Sequence, residues 1–195
     1  MIGTLAVSQL APLEYRAALD AAMPFLMPDK SIVARCAIPE LQREVSQRLQ
    51  AKPADTQVEA ALWVEPLVQS WESDLVELDR SLLPGSQLIV IASLPLARLI
   101  PERRSWSGDP LCTHLGGLGK LIQTLERANF TPQEKFGFHA PLTAGLNSLS
   151  RTLDRLGRLD LADRLGFAAR LRYTTAGLFL GLSTVALLVA RKVTT

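Results

Sequence analysis

The chain predicts an α/β fold, a mostly parallel sheet with helices on both faces and a helical insertion before the last strand. Three observations carry this. Trp71–Ser93, WESDLVELDRSLLPGSQLIVIAS, joins a 3.6-periodic segment to a continuous apolar run through a Pro-Gly turn. Leu88–Ala92 within it is unbroken and apolar, as in a central strand covered on both faces, and 31–37 and 58–64 read as further strands. Amphipathic segments lie between these runs, and a strand–helix alternation demands crossovers, expected right-handed.

The elements follow in order. Thr4–Val7 is expected as a short first strand, with Ser8–Pro12 as its turn. Leu13–Met27 is a helix carrying Ala17, Ala21, Ala22 and Phe25, closed by Pro28-Asp29-Lys30. Ser31–Ala37 is a strand. Pro39-Glu40 opens the next helix, with proline at the first position and an acid in the first turn. Lys52–Thr56 is a polar loop, and Val58–Val64 is a third strand. Trp71, Leu75, Leu78 and Leu82 share one face of a helix that Leu83-Pro84-Gly85 is expected to stop. Leu88–Ala92 is the central strand. Leu94–Thr113 is a long connection of the kind that often serves function. Gly116–Asn129 is a helix, Phe130–His139 a strand, and 141–172 a helical pair divided at Gly157. The whole, 1–195, reads as a single domain.

Composition narrows the function. A formal charge of +2, with dispersed cations and no aromatic platform between them, gives no nucleic-acid footprint. Cys36 and Cys112 have no CxxC spacing, so neither a metal site nor a disulfide framework is expected, and a reducing cytoplasm is the default setting. The first fifteen residues lack a basic n-region, so no signal peptide is read. Ala176–Ala190 is uncharged and flanked by Arg170, Arg172, Arg191 and Lys192. Two readings stay open for 174–190: a buried closing strand, or a membrane-associated helix somewhat short of the ~20 residues a span needs.

The module from Asp74 to Ala92 resembles the late part of class I S-adenosylmethionine-dependent methyltransferases, where a helix ends in Leu-x-Pro-Gly-Gly before the fifth strand. Ser86 stands in place of the second glycine. SIVARCAIPE is similar to that family's second strand and the following helix start, and VEAALWVEP to its fourth strand. LERANFTPQEKFGFHAP resembles the fifth helix and sixth strand, and STVALLVARK the closing strand. The resemblance implies a Rossmann-like domain binding S-adenosylmethionine at the carboxyl ends of its strands. The residues it places there are Ser8, Gln9, Cys36 and Glu65. The family's first strand runs into a Gly-rich turn, whereas Val7–Pro12 has no glycine; the second strand usually ends in an acid for the ribose, whereas Cys36 stands there. Glu59 falls where an acid is often seen at the start of the fourth strand.

Other residues are weighed on chemistry alone. His114 and His139 are the only histidines, and a turn position suits each as well as a general-base role. LGGLG at 115–119 opens a helix, as an anion cradle would, but lacks a following Lys-Ser/Thr. Trp63, Trp71 and Trp106 read as packing residues, and Arg98, Arg103 and Arg104 as a solvated loop or an anion-binding group. Three functional readings follow. The first is a methyltransferase-like module, degenerate in cofactor binding, that acts as a binding or scaffolding module with a protein partner or as a homodimer. The second is an active methyltransferase on a small molecule. The third is a membrane-associated subunit held by 174–190.

Overall fold

The computed structural model describes residues 13–26, 31–49, 57–99, 108–138, 149–150, 152–173 and 183–193. The elements are α1 (Leu13–Leu26), β1 (Ile32–Cys36), α2 (Pro39–Leu49), β2 (Val58–Val64), α3 (Trp71–Ser81) and β3 (Leu82–Ser93). After a 3-10 turn (Pro95–Leu99) come α4 (Leu111–His114), α5 (Leu118–Arg127), β4 (Phe130–Phe138), a helical turn α6 (152–155), α7 (Leu159–Tyr173) and β5 (Val185–Lys192). The expected first strand at 4–7, with Ser8 and Gln9, lies outside the described residues.

The five strands form one mixed sheet in the order β1-β2-β3-β5-β4. β1, β2 and β3 pair in parallel, and β5 pairs antiparallel with both β3 and β4. Four strands thus run one way and β5 alone opposes them. The sheet is covered on both faces, as the uninterrupted apolar runs require. On one face α1 and α2 set Leu19, Leu26, Leu41 and Val45 against Ile32, Leu62, Ile89 and Leu187. On the other, α3, α4 and α5 set Leu78, Leu111 and Leu125 against Val33, Trp63, Val90 and Leu188. Alternate residues of each strand serve opposite layers, so the period-2 geometry feeds both cores at once.

Two expectations are corrected, and one left open is decided. The first concerns crossover hand. The steps β1→β2 and β2→β3 go the same way across the sheet, yet their connecting helices α2 and α3 lie on opposite faces. The two crossovers therefore have opposite hand, and one of them is left-handed, a rare arrangement.

The second concerns Leu83-Pro84-Gly85. It does not separate helix from strand. α3 ends at Ser81 and β3 begins at Leu82, which pairs with Val58; the ladder resumes with Ala60 opposite Gln87, so Leu83–Ser86 bulges out of it. Gly85 takes φ +79° there, and proline's missing N–H costs nothing where no ladder bond is made. Arg191 Nε donates to Gly85 O at 2.9 Å, and Lys192 Nζ donates to Leu82 O at 3.0 Å and to Asp79 O. The basic end of the last strand thus caps the carbonyl end of α3.

The open reading is that of 174–190, for which a buried closing strand is one of the two alternatives. Val185–Ala190 is buried between β3 and β4, which settles that part of the stretch as strand and not as membrane helix. Among the described residues no helix is long and apolar enough to cross a membrane.

Candidate functional site

The carboxyl ends of β1, β2 and β3 come together at one edge. The register sets Cys36 beside Val64 and Val64 beside Ile91, while Ser93 pairs with Val185 at the start of β5. Glu65 follows directly on β2. Its amide donates to Ile91 O at 2.7 Å, and its φ of +55° turns the chain sharply off the sheet. A non-glycine residue in this region carries backbone strain, which surrounding contacts must hold in place.

Those contacts are polar and buried. Glu65 is 1% exposed. Its Oε2 accepts from Tyr15 Oη and from Ser93 Oγ, and its Oε1 accepts from the Ser93 amide at 3.2 Å. Tyr15 Oη also stands 2.6 Å from Ser93 Oγ. Tyr15 belongs to the buried stripe of α1 with Ala18, Leu19, Ala22 and Leu26, at helical spacing, so the helix delivers its hydroxyl to the strand ends. A carboxylate out of water needs such donors, since an unpaired one is costly.

The floor of this group comes from the long connection. Val68 N donates to Asp109 O at 2.9 Å and Leu111 N to Pro66 O at 2.7 Å, which draws 109–113 under the sheet edge. Thr113 Oγ1 then donates to Ser93 O at 3.0 Å. Cys112 is fully buried here, and its thiol is pushed up to about 12, first by burial and then by the charge of Glu65.

The sequence-predicted residues fare differently. Glu65 is at the edge as expected, but tied to protein groups. Cys36 ends β1 at the same edge, half-buried, with its Sγ donating to Ile38 O at 3.4 Å. Its strand pairs directly with β2. Glu59 sits at the opposite end of β2, exposed, accepting from Ser31 N at 3.3 Å. The glycines of LGGLG do not form an open cradle. Gly116 N and Gly117 N donate to Thr113 O and Cys112 O, and their positive φ values make the turn from α4 to α5. His114 Nδ1 lies 3.1 Å from Asp109 on the surface. Trp63 is core, and Trp71 packs at its margin. His139, Trp106, Arg103 and Arg104 lie outside the described residues, and Arg98 is exposed. No cluster of metal-ligating side chains occurs among the described residues.

Ser93 falls at one of the strand ends where a ligand is expected, whereas Tyr15, Cys112 and Thr113 were not singled out as site residues. Ser93 ends the apolar run of β3, and Tyr15 carries a polar atom within the buried stripe of α1. Thr113 carries no signal in the sequence, because its place depends on a loop pairing with no periodicity.

No family model matches the chain, and no curated protein matches it. Solved structures do align with it. An S-adenosylmethionine-dependent methyltransferase from Mesorhizobium loti is 14% identical, with 93% of this chain and 99% of that chain covered at a TM-score of 0.49. An N-methyltransferase from Bradyrhizobium japonicum is 11% identical, with 93% of each chain covered at 0.42. A phosphoethanolamine N-methyltransferase from Haemonchus contortus, solved with S-adenosylhomocysteine, is 10% identical, with 94% of this chain and 54% of that chain covered at 0.47.

Proposed function

We propose that this chain is a methyltransferase-like module that acts as a binding or scaffolding subunit and has lost ordinary cofactor binding. One observation carries the reading. The carboxylate at the strand ends, Glu65, is consumed by Tyr15 and Ser93 and sealed from water. An acid meant for ribose hydroxyls has to offer free lone pairs to a ligand. Cys36, at the neighbouring strand end, is turned onto Ile38 O and brings no carboxylate. Neither Cys36 nor Cys112 is in a disulfide, which suits a reducing cytoplasm.

Isothermal titration with S-adenosylmethionine and S-adenosylhomocysteine tests this. The expected result is no saturable heat at about millimolar ligand, the weak end of the affinity scale. A Kd in the micromolar range overturns it. That outcome would favour the second reading, an active small-molecule methyltransferase. The strained φ of Glu65 supports the second reading, because such outliers gather at functional sites.

A further inference from the structure

We draw no further inference here: the strongest candidate, the outer edge of β1 (Ile32–Cys36), which borders the sheet among the described residues without the proline and register shift that interrupt the border strand β4 at Pro132, carries nothing because nothing in the structure shows what covers it.

Discussion

Tyr15 Oη and Ser93 Oγ stand 2.6 Å apart and converge on a single oxygen of Glu65. They come from α1 and from the end of β3, while Glu65 follows β2. One buried carboxylate therefore ties a helix to two strands that are remote in sequence. Groups linked in this way act as a unit, and their removal is not additive.

Tyr15→Phe is expected to cost about 1–3 kcal/mol, because the carboxylate loses a donor it cannot replace from water. Ser93→Ala should cost a similar amount. The double variant should cost less than the two together, by about 0.5 kcal/mol or more. Urea unfolding of the four chains measures this. Strict additivity would show that the three oxygens are not one network.

Cys112 is expected to resist alkylation in the folded chain at pH 8, while the half-buried Cys36 takes the label. Mass spectrometry after treatment with iodoacetamide, with and without urea, distinguishes them. The raised thiol pKa also sets a pH dependence. Between the ordinary value of 9.0 and about 12 the unfolded chain gives up the proton and the folded chain keeps it. This contribution to stability is full below pH 9 and is lost as pH rises towards 12. Cys112→Ala should flatten the alkaline fall in melting temperature.

Lys192 and Asp79 separate a cap from an ion pair. Lys192 Nζ lies 3.0 Å from Asp79 Oδ1, but Asp79 is 43% exposed and the pair alone is worth little. The bonds to Leu82 O and Asp79 O complete the end of α3. Lys192→Ala is therefore expected to cost about 1–2 kcal/mol, and Asp79→Asn under about 1 kcal/mol. Equal losses in urea unfolding would show that the ion pair dominates.

The same substitution should act with opposite sign at two glycines. Gly85→Ala places a side chain at φ +79° and is expected to destabilise by about 1 kcal/mol. Gly119 lies inside α5, where an added Cβ meets nothing within 4 Å. Gly119→Ala is expected to stabilise by about 0.5–1 kcal/mol. Thermal melts of both variants check this.

Period and burial made most of the scaffold legible. Val58–Val64 was placed to the residue, and β1, α2 and β4 within a residue or two; β1, α2 and β2 are apolar runs or stripes bounded by proline or polar turns. The closing strand was legible in part: its composition also fitted a membrane helix, and only pairing on both edges decides between them. The bulge at Pro84-Gly85 was missed because those residues serve a turn and a looped-out strand equally well. The opposite-handed crossovers were missed because hand depends on which face a helix packs, which no local pattern encodes. At the site, Glu65 was found from its place after a strand. Tyr15 was hidden inside an apolar stripe, where its ring fitted the pattern and its hydroxyl left no trace.

β5 lies inside the sheet, between β3 and β4, although it is the last of the described strands to be made. Until 185–192 leaves the ribosome, β3 and β4 each present an open inner edge, and the sheet cannot join its two halves. During synthesis those edges are free to pair with other nascent chains or to recruit chaperones. Loss of these eight residues would split the sheet in two and not merely trim its border.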